Sequence, residues 1–397
     1  MTSPVLPTPA SVDRLERRAL PVAGLGLLVC AVGLLTNPDQ FYRSWLFAFL
    51  FWVGMSVGCL SILAISHLTG GMWGLLIRRY LEAGSRLFPL LALLFLPVAA
   101  GLGRLYPWTH PGEDPLLLHK QLYLNVPFFL GRAAFYFAVW ATLAYFLSRW
   151  SRELDAGENR KVSRKLRSIS GGGLVLLGLT ITFSAFDWGM SANPHWFSHI
   201  YGILFMVGQA LSALALMIAS VARTADEKPM QDAVRPGTVQ DLGKLLLAFT
   251  MLWAYVNLSQ FLIIWQGNLA EETPFYLRRF QLGWQYVSVA LFVFHFVVPF
   301  LLLLSRDLKR NARVLGNLAG LMLLVRLVDL YWLVAPDLLA HGTQPVRLTV
   351  HWLDVVAPVG MGALWLLFFA RQLRSRPVLP VGEPEMAELL AARAGAP

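Results

Sequence analysis

The segment SWLFAFLFWVGMSVGCLSILAISH, residues 44–67, contains 24 residues and no Asp, Glu, Lys or Arg. A helix needs about 20 apolar residues to cross the hydrocarbon core of a bilayer, so the segment predicts a membrane-spanning helix. Other apolar segments follow along the chain, and none alternates apolar and polar residues as a barrel strand does. The sequence therefore predicts an all-α integral membrane protein with about ten transmembrane helices, at 20–36, 44–67, 87–106, 125–148, 171–189, 197–221, 243–266, 282–304, 314–335 and 349–370.

The overall composition agrees with this class. Hydrophobic residues make up 56% of the chain and charged residues 14%, and the mean hydropathy is +0.57. These values are typical of a membrane protein and exclude a large soluble domain.

The basic residues predict the topology. With ten spans both termini lie on one side, and that side carries 24 of the 33 Lys and Arg residues, against 6 on the other. The positive-inside rule then places both termini in the cytoplasm. The predicted organisation is a cytoplasmic tail at 1–19, a transmembrane domain at 20–371 and a second cytoplasmic tail at 372–397. The basic run 149–167 is typical of a surface that contacts anionic lipid, and nucleic acid is not an expected partner.

Cysteine and histidine limit the cofactors that this chain can bind. Cys30 and Cys59 lie in apolar spans, and there is no C-x-x-C-H motif for covalent haem and no cysteine cluster for iron–sulfur. Non-covalent haem needs two facing histidines, and the histidines within spans are His67, His295 and His351; one such pair stays open. If the protein serves electron transfer, its metals are expected in partner chains.

The segment FDWGMSANPHWFSHIYGILFMVGQ, residues 186–209, joins the fifth and sixth spans. Asp187 ends one helix, and His195 and His199 are four residues apart, so they are predicted to share a face where the next helix begins. Ionisable groups at this depth indicate proton or quinone chemistry. Two alternatives stay open, an Asp187 that caps backbone N–H groups and histidines that anchor the loop; a metal site lacks an obvious third ligand. Trp188 and Trp196 fit an interfacial aromatic belt and are also expected to contribute to the docking of a periplasmic partner.

Other charged groups lie at or near the spans. Arg132 lies inside the fourth span, where Asp187 is its expected partner. His67 ends the second span and is either a cap or part of a proton path. Glu271 and Glu272 follow the seventh span, where they either dock a partner or are solvated.

Two further pairs are spaced three residues apart. Asp241 and Lys244 begin the seventh span and are expected to form a local ion pair. Arg326 and Asp329 repeat this spacing within the ninth span, where mutual pairing is the first expectation. The charged groups allow two half-paths for protons, one from Asp187 and Arg132, the other from His67, Asp241 and Lys244.

Several segments together resemble the ActF family, multi-pass membrane subunits of bacterial alternative complex III, a quinol:electron-acceptor oxidoreductase. They are FDWGMSANPHWFSHIYG (186–202), DLGKLLLAFTMLWAYVNLSQFLIIWQGNLAEET (241–273), SHLTGGMWGLLIRRYLEA (66–83), KQLYLNVPFFLGRAAFYFAVW (120–140) and RLVDLYWLVAP (326–336). The family is similar to NrfD-like subunits. The resemblance implies two four-helix bundles plus two flanking helices, in the bacterial inner membrane.

The resemblance also implies function and partners. It implies a subunit that binds quinone (menaquinone or ubiquinone), conducts protons, or does both, and transfers no electrons alone. The implied partners are the NrfD-like paralogue ActC, the iron–sulfur subunit ActB, c-type cytochrome subunits carrying haem c, small membrane subunits, and lipid. The chain departs from the family in its hairpin, where Ala192-Asn193 stands in place of Leu-Glu and His199 in place of Thr. Loss of that Glu argues against a complete proton relay within the hairpin.

A secondary transporter is the alternative from another functional class. Such a protein is expected to have Gly or Pro breaks near the midplane at corresponding positions of two halves. The interior prolines Pro97, Pro299 and Pro358 form no such matched pair. The sequence therefore favours the subunit of a redox complex.

Overall fold

The computed structural model describes residues 8–155, 157, 159–339 and 346–394, which contain helices and no strands. We number the main helices in chain order. They are α1 (Ala10–Thr36), α2 (Pro38–Thr69), α3 (Met72–Ser85), α4 (Phe88–Ala100), α5 (Val126–Leu154), α6 (Arg160–Trp188), α7 (Tyr201–Thr224), α8 (Pro236–Gly267), α9 (Trp284–Leu304), α10 (Ala312–Leu339), α11 (Leu353–Arg374) and α12 (Pro384–Ala394). Short helices cover Leu102–Leu105, Pro115–Lys120, Met230–Ala233, Pro274–Arg279 and Arg306–Arg310.

Nine helices in the described part of the chain are long and apolar enough to cross a membrane. A tenth span results if α3 and α4, which meet at an angle of 41°, count as one. The protein is therefore a multi-pass, all-helical membrane protein, as the sequence predicts.

The third span differs from its prediction at 87–106. The helix α4 has only 13 residues, and the span is completed by α3, which begins fifteen residues before the predicted start. A break is expected beside Pro89, because proline has no N–H to continue the hydrogen bonding of a helix. The charged residues of α3 lower its hydropathy, so the sequence did not predict it as part of a span. In the structure Arg78, Arg79 and Glu82 are nevertheless buried.

Local signals fix several helix starts. Asn37 precedes Pro38 at α2, and its side chain accepts a hydrogen bond from the Gln40 N–H. Asn125 and Asn159 cap α5 and α6 in the same manner. Asparagine is a preferred N-cap because its side-chain oxygen satisfies an N–H that lacks a partner in the first turn.

The helices α2 and α7 form the centre of the protein and pack against each other. Both are buried along most of their length, whereas α1 exposes much of its apolar surface. α1 pairs with α11, where Gly26 lies so close to Gly360 that a Cβ on Gly26 would come within 2.5 Å of the Gly360 Cα. Small residues permit this close approach of two helices in a membrane.

Contacts between the helix ends define two faces. The start of α1 meets the end of α7, where Arg14 pairs with Glu227 at 2.6 Å, and Glu16 pairs with Arg374 at the end of α11. We call this side the terminal face and the opposite side, which carries residues 189–200, the hairpin face.

The predicted tails are partly helical. α1 begins at Ala10, within the predicted tail 1–19, and α11 continues to Arg374. The segment 375–394 returns to the protein and buries Leu379 and Met386. Residues 1–7 and 395–397 of the two predicted tails lie outside the described residues.

Candidate functional site

A buried ion pair joins α5 and α6 near the hairpin face. The two carboxylate oxygens of Asp187 accept hydrogen bonds from Nε and Nη2 of Arg132, both at 2.8 Å. The Tyr136 hydroxyl donates a third hydrogen bond at 2.7 Å. Asp187 is 0% exposed. The predicted pairing of Arg132 with Asp187 is confirmed, and the planar guanidinium binds the carboxylate through two parallel bonds.

The loop before α5 completes the surroundings of Arg132. Its Nη1 donates to the Tyr123 carbonyl at 2.9 Å, and its guanidinium lies 3.8 Å from the centre of the Tyr123 ring. Burial, together with the charge of nearby Asp187, raises the pKa of Tyr123. The Tyr123 hydroxyl has no hydrogen-bond partner among the described residues. It is therefore a polar group available to water or to a ligand beside Asp187.

After a short 3-10 helix at Met190–Ala192, residues 193–200 of the hairpin are not helical, so the prediction that His195 and His199 share a helix face is wrong. α7 begins at Tyr201, and both histidines lie on turns and are exposed. Nε2 of His195 lies 2.8 Å from Oδ2 of Asp114, while the His199 ring contacts Phe197 edge-on. Among the described residues, no three His, Cys, Asp or Glu side chains are placed to hold a metal ion.

The two hairpin tryptophans are structural. Trp188 is buried against Phe95, and its indole N–H has no partner in the described part of the chain. Trp196 stacks on Phe275 with ring centres 4.3 Å apart and donates to the Glu272 carbonyl at 3.1 Å. Neither side chain is available to an external partner, which corrects their predicted part in docking. Glu271 is exposed and Glu272 is partly exposed, so their docking role stays a prediction.

A second buried charge cluster at the hairpin face was missed by the sequence analysis. Asp337 accepts from Arg278 at 3.1 Å and from Arg279 at 2.7 Å, and all three residues are buried. Arg279 also donates to the Leu333 carbonyl at 2.7 Å. Asn193 of the hairpin also donates to Asp337, at 3.1 Å. From the sequence, Arg278 and Arg279 were counted as charges of a loop. The only signal for the cluster was Asp337, near the end of the ninth predicted span.

A third cluster lies halfway along α10. Arg326 pairs with Asp329, as predicted, and donates through Nε to the Gly208 carbonyl at 3.1 Å. The indole of Trp253 donates to Asp329 Oδ2 at 3.0 Å, and its ring lies 4.0 Å from that of His295. His295 is 0% exposed and neither ring nitrogen has a partner among the described residues. It lies in a π-helical turn, Phe292–Val297, of a kind found mostly at functional positions.

A small cavity lies beside this cluster. It has a volume of about 10 Å³, and its lining combines polar Gln209, Ser212 and Arg326 with apolar residues of α2, α7 and α10. Oε1 of Gln209 has no partner within the described residues, and the same is true of both amide atoms of buried Gln260. A polar cavity of roughly 10–15 Å³ can hold one water molecule.

The terminal face carries a fourth cluster, which the sequence analysis also missed. Arg79 pairs with Glu82 at 2.8 Å and with Asp155, and Arg376 donates to Glu82 at 3.1 Å. Burial lowers the pKa of Arg376 to about 10. His67 is nearby on α2 and only 7% exposed. Asp155 and Arg376 come from distant parts of the sequence, and Arg79 and Glu82, although three residues apart, lie outside every predicted span, which is why the sequence did not indicate a buried cluster.

The Asp241–Lys244 pair forms as predicted, with Nζ and Oδ1 2.8 Å apart, but both side chains are about half exposed on α8. The structure therefore separates them from the buried clusters, and their part in a proton path stays a prediction. The remaining predicted histidines lie at three levels, with His67 near the terminal face, His295 in the middle and His351 at the hairpin face.

The sequence matches no protein-family model and no curated protein. The fold and the buried charges define the class, a multi-pass helical membrane protein with ionisable groups in its interior.

Proposed function

We propose that this chain is a membrane subunit of a bacterial quinol-oxidising complex of the alternative complex III type, respiratory or photosynthetic. Its part in that complex is to conduct protons, while haem and iron–sulfur subunits carry the electrons. In this proposal the terminal face is cytoplasmic and the protein lies in the inner membrane. The support is that the segments resembling the ActF family contain several of the buried charged groups, including Asp187, Arg326 and Asp329, together with Arg132, the partner of Asp187.

The proposal also covers the arrangement of helices. α2 to α6 would form one four-helix bundle, with α3 and α4 as one span, and α7 to α10 the other. The close pairing of α1 with α11 is compatible with two flanking helices, and the burial of α2 and α7 is compatible with a contact between the bundles.

The observation that carries the functional proposal is the cluster at half the length of α10. Charged groups at this depth of a membrane are costly and are typically functional. Here Asp329 is joined to Arg326, and the neighbouring His295 has two ring nitrogens without partners. An imidazole can accept a proton at one nitrogen and release one from the other. His295 is therefore the residue we assign to proton transfer across the midplane.

The four clusters lie at successive depths between the hairpin face and the terminal face, and a proton would pass from one depth to the next. Asp337 and Asp329 are eight residues apart on α10, which corresponds to about 12 Å along a helix axis. Such a distance requires intervening water, and the unpartnered amides of Gln209 and Gln260 are groups that could bind it. Asp187 and Asp337 would serve the hairpin face, and His67 with Glu82 the terminal face.

The first experiment tests membership of a complex. The chain is purified from native membranes in mild detergent, a redox difference spectrum is recorded, and co-purifying proteins are identified by mass spectrometry. We expect c-type haem and iron–sulfur subunits. A colourless protein recovered alone contradicts the proposal and favours the transporter.

The second experiment tests proton conduction in the purified complex, reconstituted into liposomes. His295→Gln is expected to reduce proton movement per quinol oxidised at least tenfold while assembly is unchanged, because this side chain makes no hydrogen bond to another described residue. Asp307→Asn, which alters an exposed carboxylate outside the spans, is the matched control and should behave as the wild type. Unchanged proton movement in His295→Gln removes the assigned role, and loss of quinol binding in that variant would favour a quinone site instead.

A further inference from the structure

A pocket of about 120 Å³ opens at the terminal face where α2, α3 and α6 meet. Its lining combines ionisable and small polar groups with the loop between α2 and α3. The lining includes His67, Gly71, Arg78, Ser163, Glu383 and Glu385.

His67 is the buried polar residue of this pocket. It is 7% exposed, and its Nε2 has no hydrogen-bond partner among the residues that the structure describes. A buried imidazole nitrogen without a protein partner is usually satisfied by water, and the pocket has room for several water molecules.

The C-terminal segment forms one wall of the pocket. It is fixed to the protein by the buried side chains of Val378, Leu379 and Met386. Its backbone approaches so closely that a Cβ on Gly382 would come within 2.0 Å of the Leu154 carbonyl oxygen. Beyond this contact, Glu383 pairs with Arg78 and places its carboxylate in the pocket lining together with Glu385.

We infer that this pocket is a hydrated proton-exchange port, through which His67 reaches the water of the terminal face, with an acidic rim supplied by the C-terminal segment. The step is a proton transfer from a hydronium ion to Nε2 of neutral His67, which yields an imidazolium and water. This inference deepens the proposed function, since it assigns the place where protons enter or leave the terminal face.

The charges around His67 determine how the port works. Arg78 and Arg79 of α3 bring positive charge near His67, and Glu82 of the same helix brings negative charge. Arg167 of α6 adds positive charge to the lining of the pocket. Glu383 and Glu385 offset these arginines, so the rim is needed to attract protons to an otherwise positive entrance.

Exchange of the imidazole C2 hydrogen in D₂O, followed for each histidine by mass spectrometry, tests whether the port is open. In the intact protein in lipid nanodiscs, we expect His67 to exchange at a rate closer to that of exposed His195 than to that of buried His295. Ser163→Trp fills the pocket and should slow exchange at His67 at least tenfold. Ser168→Trp, on the exposed side of the same helix, should not. Exchange of His67 as slow as that of His295 in the wild type, or equal effects of both tryptophans, overturns the inference.

Proton movement by the reconstituted complex tests the acidic rim. Glu383→Gln combined with Glu385→Gln should slow it at least threefold, whereas Glu388→Gln removes an exposed charge from the same helix and should have no effect. Equal rates in all three proteins show that the rim has no role. No proton movement in the wild type overturns the proposed function and the rim with it, while the exchange at His67 still decides whether the port is open.

Discussion

Asp187 and Arg132 face each other across α5 and α6, with each carboxylate oxygen 2.8 Å from a different guanidinium nitrogen. This ion pair connects the end of α6 to the interior of α5, next to the hairpin. Because the two charges are desolvated together, each is stable only in the presence of the other.

The first prediction concerns that pair. Asp187→Asn leaves the buried guanidinium without a counter-charge and should lower the free energy of unfolding by about 3–5 kcal/mol. Cys30 and Cys59 are both buried, so a thiol-reactive fluorophore reports thermal unfolding directly. The double variant Asp187→Asn, Arg132→Gln removes both charges and should recover part of the lost stability. A single variant as stable as the wild type would contradict this account.

A second prediction tests the close contact at Gly208. A Cβ at this position would lie 2.0 Å from Nη2 of Arg326, so Gly208→Ala should displace the guanidinium from Asp329. We expect destabilisation of about 1–3 kcal/mol, the usual cost of overpacking, together with reduced proton movement. Gly172→Ala is the control, because nothing lies within 4 Å of its added Cβ. Thermal unfolding of the two variants in parallel makes the comparison, and equal midpoints would rule out this steric role.

The third prediction concerns Arg279, which is fully buried and binds Asp337 and three backbone carbonyls. Lysine keeps the charge but has no planar fork of donors, so Arg279→Lys should destabilise the protein by about 2–3 kcal/mol. Arg104→Lys is the comparison and should cost less, because its ion pair with Asp39 lies on the surface. Thermal unfolding with the thiol-reactive fluorophore measures both, and the reverse order would contradict the assignment.

The fourth prediction is a dependence of the hairpin on pH. The hydrogen bond from His195 lowers the pKa of Asp114, which also caps the short helix Pro115–Lys120. A carboxyl group whose pKa is lowered by folding stabilises the folded form above its ordinary pKa. That contribution is lost as the pH falls through the lower, folded value. The contact between Asp114 and His195 should therefore hold the hairpin in place at neutral pH. Below about pH 4 this contact weakens and the hairpin should become more mobile.

Amide hydrogen exchange of residues 189–200, corrected for the intrinsic effect of pH, measures this change. In Asp114→Asn the hairpin should exchange faster at neutral pH and show little further change in acid. The same acid-induced loosening in wild type and variant would show that another group is responsible.

Some of the ion pairs were predicted from the sequence and others were not. The pairs Arg326–Asp329 and Asp241–Lys244 were predictable because both partners lie one turn apart on a single helix. The pair Arg132–Asp187 was predictable because a buried arginine needs an acid and the next helix offers one. The clusters around Asp337 and Glu82 were not, since Asp337 meets Arg278 and Arg279, and Glu82 meets Arg376, only when several helices pack together. The Arg79–Glu82 pair has the spacing of a helix turn but lies outside the predicted spans.

What the sequence by itself determined is the class of the fold, the number of spans to within one, and two of the ion pairs within a helix. These depend on apolar length and on a period of 3.6 residues, which are local properties of the chain. Only the tertiary structure decided that Arg79 and Glu82 are buried, that His195 and His199 lie on turns before α7 begins, and that the C-terminal segment covers the His67 pocket. The physical reason is that the solvation of a charged side chain depends on which other helices cover it, and local sequence does not carry that information.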